Sequence, residues 1–222
     1  MKILALSDEE APALWEGYRP GRLDGYDLIL SCGDLKPQYL EFIVTMARVP
    51  LLYVHGNHDE RYLREPPEGC VCIDDGLVVY NGLRILGLGG CRRYHPGPFQ
   101  YTDKEMHRRI TRLRFAIRRA GGVDLVVTHA PPRGVGDQED PAHQGFEALR
   151  DLLDKAHPQA LIHGHVHLRY NIQLPREQAY GDTRVINVSG RYELDLPDRP
   201  FPDKDRGRMI WKTRYKEPSF DD

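Results

Sequence analysis

The chain has 222 residues, 40% of them hydrophobic and 29% charged, a balance that fits one well-filled globular domain and excludes a disordered or membrane-spanning chain. A formal net charge of -2 gives no overall pull toward nucleic acid or anionic lipid. One domain over residues 1–222 is therefore expected, with the Pro-rich, charged stretch 196–222 as a C-terminal strap or mobile tail. The first apolar run is too short for a signal-peptide core and meets acidic residues at once, so a cytoplasmic protein without membrane contact is expected. Its four cysteines form no CxxC pair and read as small, half-buried thiols, Cys32 among them.

In chain order, residues 2–6 form a short apolar run of the kind that makes a buried strand, and it ends at Asp8, Glu9 and Glu10. Residues 27–31 repeat the arrangement and lead to Cys32, Gly33 and Asp34. Helical spacing then predicts a helix over 38–48, with Leu40, Ile43, Val44 and Ala47 on its buried face. A third run, 51–55, stops at Gly56 and offers an amide, an imidazole and a carboxylate: Asn57, His58 and Asp59. This is β-α-β order, and open α/β sheets place their chemistry beyond such strand ends.

Residues 77–80 and 84–88 read as a hairpin turning at Asn81 and Gly82. A loop with Arg92, Arg93, Tyr94 and His95 follows, then a helix that Thr102 caps, Glu105 completing a capping box and Met106, Ile110, Leu113 and Ile117 making its buried stripe. Its arginines, including Arg108, Arg109, Arg112, Arg118 and Arg119, read as a solvated face. A strand at 125–128 ends at His129, and Arg133 stands just beyond. A helix over 145–157 leads to a strand at 160–162, which ends at His163, Gly164, His165 and His167, and a last strand covers 184–188. Trp15, Trp211 and His143 read as packing residues, and His55 and His163, which precede their glycines, as buried strand side chains.

Six of the ten histidines thus fall at strand ends beside carboxylates. A mixed set of carboxylates, imidazoles and one amide suits Mn²⁺, Fe or Zn²⁺, whereas the lack of thiolate spacing argues against structural zinc.

The ordered set Asp8…Glu10, Gly33-Asp34, Gly56-Asn57-His58-Asp59, His129 and Gly164-His165-Val166-His167 resembles the calcineurin-like metallophosphoesterase superfamily over residues 1 to about 190. That resemblance implies a four-layer α-β-β-α sandwich of two mixed β-sheets flanked by helices. It also implies two divalent ions: Asp34 bridging them, Asp8, Glu10 and His167 completing one site, and Asn57, His129 and His165 the other. His58 would sit over the phosphate with Asp59 orienting it, and hydrolysis would proceed by attack of a metal-bridging hydroxide, in a site with ions roughly 3.5–4 Å apart. One position departs from the family's pattern, since Glu10 stands where a histidine is usual. The added carboxylate favours hard ions, Mn²⁺ first and Mg²⁺ next, provided that Glu10 is a ligand at all; pointing away, it would leave the first ion weak or absent.

The expected partner is a small or nucleotide-like phosphate ester, most simply a diester, with Arg92, Arg93, Tyr94, His95 and Arg133 as candidate substrate contacts. Two alternatives stand beside this reading. One is a non-catalytic scaffold for protein contacts, which the retained His58 speaks against; the other is a nuclease, for which the even charge offers little support.

Overall fold

The computed structural model describes residues 1–170 and 174–213. In chain order its elements are β1 (Lys2–Ser7), β2 (Leu28–Ser31), α1 (Pro37–Ala47), β3 (Leu51–Tyr53), β4 (Val71–Cys72), β5 (Gly76–Tyr80), β6 (Leu83–Leu88), β7 (Cys91–Arg92) and β8 (Gln100–Tyr101). There follow α2 (Asp103–Ala120), β9 (Leu125–Thr128), α3 (Glu147–Ala156), β10 (Ala160–His163), β11 (Glu177–Tyr180), β12 (Thr183–Asn187), β13 (Gly190–Asp195) and β14 (Met209–Thr213).

The strands make two large mixed sheets, in the orders β13-β1-β2-β3-β4 and β11-β12-β10-β9-β6-β5-β14, and a small pair, β7 with β8. In the first sheet β1 to β4 run parallel and β13 returns antiparallel beside β1. In the second, β6, β9, β10 and β12 run parallel, with β5 and β11 antiparallel to them. Side-chain alternation along the strands decides the layers. Ile3, Ala5, Leu28, Leu30 and Leu52 of the first sheet share one core with Val78, Ile85, Leu125, Val127 and Ile162 of the second. The intervening residues face outward: Leu4, Leu6 and Ile29 meet Leu40 and Ile43 of α1, while Leu86, Val126 and Leu161 meet Met106 and Leu113 of α2 and Leu149 of α3. The result is the four-layer α-β-β-α sandwich that the family resemblance implies.

Buried runs were the legible part of this fold, and edges were not. The strands expected at 2–6, 27–31, 77–80, 84–88, 125–128, 160–162 and 184–188 form within a residue or two of those bounds, and the capping box of Thr102 and Glu105 is present. The run expected over 51–55 pairs only as far as Tyr53. β11 and β13 carry alternating half-exposed polar residues and become strands only because a neighbouring edge offers partners. Arg109 departs from the solvated face expected of it: this residue is 6% exposed, with its Nε on Asp75 at 2.7 Å and its Nη1 donating to the Gly89 carbonyl at 2.7 Å.

The stretch expected to be a strap or tail is described as far as Thr213, and residues 214–222 lie outside the described residues. From β13 the chain passes to the other sheet. Leu196 exchanges hydrogen bonds with Met1, Arg199 pairs with Asp124, Gly207 N donates to Asn81 Oδ1 at 2.8 Å, and β14 then pairs with β5. Trp211 packs on the core between the sheets.

One buried polar cluster joins the layers behind the third strand end. The Asp74 carboxylate, 3% exposed, accepts from His55 Nδ1 at 2.6 Å and His55 N at 3.1 Å, and also from Gly89 N. Arg109 stands 3.6 Å away, and Phe99 stacks on the His55 ring at 4.2 Å. Burial lowers the His55 pKa, but hydrogen bonds to Asp74 and Cys72 and the Asp74 charge outweigh it and raise the value to about 10. Cys72 also lies near, its Sγ 3.9 Å from His55 Nδ1, but the Nδ1 of His55 and both oxygens of Asp74 are engaged with each other and with backbone N–H groups, so the group reads as an ion pair. Asp74→Ala, which strands two buried cations, should cost about 3–5 kcal/mol in urea unfolding. Because the folded pKa of His55 exceeds the unfolded one, its stabilising contribution is complete below about pH 6.5 and is lost as pH rises toward 10, a loss that Asp74→Ala should not show.

Candidate metal centre

The ends of β1, β2, β3, β9 and β10 meet at one edge of the sandwich, and two glycines let them come that close. A Cβ on Gly56 would lie 2.0 Å from Asp34 Oδ1, and one on Gly164 would lie 1.9 Å from Ser7 Oγ and 2.5 Å from Asp8 Oδ2. No other residue allows these approaches. Just past the strand ends the backbone enters the left-handed region at Asp8 (φ 61), Asp34 (φ 58) and His165 (φ 67), residue types that tolerate it better than most.

Asp8, Asp34 and His129 offer ligand atoms that all lie within 4.8 Å of one another. The His129 ring, fully buried, donates Nδ1–H to the Cys32 carbonyl at 2.7 Å, which leaves Nε2 facing Asn57 Oδ1 at 2.9 Å and Asp34 Oδ2 at 3.3 Å. Two oxygens and a ring nitrogen thus point lone pairs at one place, and only a cation or a proton can reconcile them. His165 is set up in the same way: its Nε2–H donates to Ala142 O at 2.7 Å, which frees Nδ1, and its backbone N–H donates to Asp8 Oδ1 at 2.9 Å.

Electrostatics follow from this crowding. Burial raises the Asp8 pKa, and Asp34 adds to the rise. Burial also works on Asp34, but the charge and hydrogen bond of His129 and the His58 N–H prevail and lower its pKa to about 2. Burial alone would lower that of His129, yet Asp34 and Asp8 raise it to about 9. The donor set of carboxylates, imidazoles and an amide therefore fits a divalent ion, which would take the place of the His129 proton.

The other residues singled out in the sequence divide into three sets. His58 is exposed and its backbone N–H donates to Asp34 Oδ1 at 2.8 Å, so the two oxygens of Asp34 face different neighbours. Asp59 was expected to orient His58, but its Oδ2 instead accepts from Gly56 N at 2.7 Å and Asp34 N at 2.9 Å. It clamps two of the converging loops together. Glu10 pairs with Lys36 Nζ at 3.3 Å and His167 Nδ1 lies 3.4 Å from Glu9 Oε1, so both stand outside the Asp8, Asp34 and His129 triad. Of the candidate substrate contacts, Tyr94 reaches the centre, its hydroxyl 3.4 Å from Asn57 Nδ2. Arg93 is held by Glu105 at 2.9 Å, His95 by Gln100, and Arg133 by Asp137 and Glu139. For Arg92 the described contacts are those of its backbone, a strand pairing with Tyr101 and a carbonyl that accepts from Cys91 Sγ at 3.3 Å.

Two clefts adjoin at Asp34. One of about 530 Å³ is lined by Asp8, Glu9, Glu10, His167 and Arg169, and the other, of about 230 Å³, by His58 and Arg61; Lys36 lines both. Lys36 and the Ala142 carbonyl were missed in the sequence. Proximity to Asp34 was a signal for the first, but nothing in a loop sequence marks which backbone oxygen will meet His165. His163 is buried and neutral, its pKa lowered by burial to about 4, as a structural side chain would be.

Comparison with known proteins now gives these features a family. The model for the calcineurin-like phosphoesterase superfamily domain matches residues 1–193, and the chain belongs to that superfamily. No curated protein matches the chain significantly. Among solved structures, TT1561 of Thermus thermophilus is similar with a TM-score of 0.61 at 19% identity, covering 85% of this chain and 89% of that one. A putative 5'-nucleotidase from Staphylococcus aureus is similar with a TM-score of 0.54 at 16% identity, over 88% of this chain and 51% of that one. At these identities the likeness is one of fold.

Metal binding should depend on pH through His129. The ring carries its proton below about pH 9 in the metal-free protein, so Mn²⁺ must displace it, and affinity should rise by up to about tenfold between pH 7 and 8. Titration calorimetry in buffers of different ionisation enthalpy reads the released proton directly; a metal affinity that ignored pH would contradict the assignment.

Proposed function

We propose that the chain is a metal-dependent phosphoesterase that holds two divalent ions, Mn²⁺ before Mg²⁺, Fe or Zn²⁺, and hydrolyses a small or nucleotide-like phosphodiester. The observation that carries this reading is the convergence of Asp34 Oδ2, Asn57 Oδ1 and His129 Nε2 on one point, where the two oxygens share the single His129 proton. Asp34 with Asn57, His129 and His165 would hold one ion, and Asp34 with Asp8, His167 and Glu10 the other. Ions bound there would supply Lewis-acid charge to the phosphoryl group and activate a water nucleophile.

The chain's own residues account for the rest. His58, exposed at the mouth of the smaller cleft and tied through its backbone to Asp34, is the group that can face the leaving oxygen and give it a proton. Asp59 keeps the loops of Asp34 and Asn57 in register, and Tyr94 steadies the Asn57 amide. The larger cleft, about 530 Å³, is of small-molecule size, since such sites run from about 300 to 1,000 Å³. On the rim, Glu10 faces Lys36 and Glu9 faces Arg169, so there is little surplus positive charge for the dianion of a monoester. That favours a diester, which carries one charge.

A one-ion centre is the second reading, and the pairing of Glu10 with Lys36 favours it. Metal content per chain after equilibration with Mn²⁺ separates the two: two equivalents support the binuclear centre and one the alternative. For the reaction, bis-p-nitrophenyl phosphate should be hydrolysed faster than p-nitrophenyl phosphate when Mn²⁺ is added. His58→Ala should lower the rate about 10²–10⁴-fold without releasing the metal. Absence of turnover with Mn²⁺, Mg²⁺, Fe²⁺ or Zn²⁺ would instead support a scaffold.

A further inference from the structure

A second polar cavity lies at the opposite end of the second sheet from the metal loops. It has a volume of about 370 Å³ and sits where α2 ends, beside the turn between β5 and β6 and under the crossing segment 199–208. Its walls carry five cationic side chains, Arg84, Arg119, Arg199, Arg208 and Lys212, against two carboxylates, Asp205 in the wall and Asp124 beneath, a surplus of three positive charges.

The cations are not arranged at random. Asp124, fully buried, accepts from Arg84 Nε at 2.8 Å and Nη2 at 2.7 Å and also pairs with Arg199, so one carboxylate fixes two guanidinium groups brought from distant parts of the chain. Arg84 also donates to the Gly121 carbonyl. Arg119, on the last turn of α2, and Lys212, on β14, take part in no ion pair among the described residues, and Arg208 lies 3.8 Å from Asp205. The floor is apolar: strand alternation sends Met209 and Trp211 into the core between the sheets and leaves Ile210 on the cavity side, beside Val79 and Phe201.

A cationic rim over an apolar floor suits a ligand with an anionic end and a planar apolar end, and guanidinium groups bind phosphate oxygens in pairs. We propose that this cavity is a binding site for a nucleoside diphosphate, with its phosphates on Arg119, Arg208 and Lys212 and its base on Val79, Phe201 and Ile210. The site is separate from the metal centre and does not rest on the reading of that centre.

Equilibrium dialysis of α,β-methylene ADP against the Mn²⁺-loaded full chain tests this, with two variants to tell the sites apart. Asp34→Ala, which disables the metal centre, should still bind one equivalent. The Arg119→Gln/Lys212→Gln variant, whose changes lie on the cavity wall, should bind that equivalent at least tenfold more weakly while its diester hydrolysis and melting temperature stay unchanged. Arg208→Ala, on a different element, should weaken it in the same direction. The proposal falls if the double variant binds as the wild type does or if Asp34→Ala, still folded by circular dichroism, binds none. Competition by inorganic pyrophosphate as strong as that by ADP would also overturn the nucleotide assignment, since it would show that the apolar floor is not read.

Discussion

Everything at the active edge depends on one constraint, the bringing together of acceptors that repel one another. Asp8 and Asp34 come from the first sheet and His129 and His165 from the second, so the centre spans the seam of the sandwich. Packing between the sheets supplies the force that closes it, through a core shared by both inner faces. Glycine contacts set how near the loops come, and the bond from His129 to the Cys32 carbonyl ties one sheet to the other at that point. The cost of the crowding appears at Asp8, whose pKa burial and Asp34 raise, while the His129 proton offsets part of it, Asp34 holding that ring's pKa up to about 9. A divalent cation bound among these acceptors would relieve it.

The layers around the centre have unequal parts. Asp59 and Asp74 are both buried carboxylates, yet neither points at the place where the acceptors converge. Asp59 gathers two backbone N–H groups from the loops that carry Asn57 and Asp34, and Asp74 holds His55, the residue before Gly56, against Arg109 of α2. The third strand end is therefore fastened from both sides. On the solvent side the rim is built of ion pairs, Glu10 with Lys36 and Glu9 with Arg169 and His167, which tune charge near the centre without closing it.

Much of this was legible in the sequence, because buried parallel strands are continuous apolar runs and the residues after them are forced to one edge. That is why Asp8, Asp34, Asn57, His129 and His165 could be named as a set. What could not be read were facts of the third dimension. Edge strands such as β11 and β13 have no continuous apolar run of their own and exist because a partner edge awaits them. Arg109 looks like its neighbours Arg108 and Arg112 until Asp74 and Asp75 are seen beneath it. The family resemblance implied that Asp59 orients His58, whereas its hydrogen bonds reach back to Gly56 and across to Asp34. The exchange of a usual histidine for Glu10 was visible at once, but its pairing with Lys36 was not.

The most direct measurement is anomalous X-ray diffraction from crystals grown with Mn²⁺. The account predicts an anomalous peak bounded by Asp34, Asn57 and His129, with the His129 ring turned to it through Nε2 and Nδ1 still on the Cys32 carbonyl. Absence of any peak there, with His129 Nε2 retaining its hydrogen bond to Asn57 at saturating Mn²⁺, would contradict the claim that this convergence of acceptors is a metal centre.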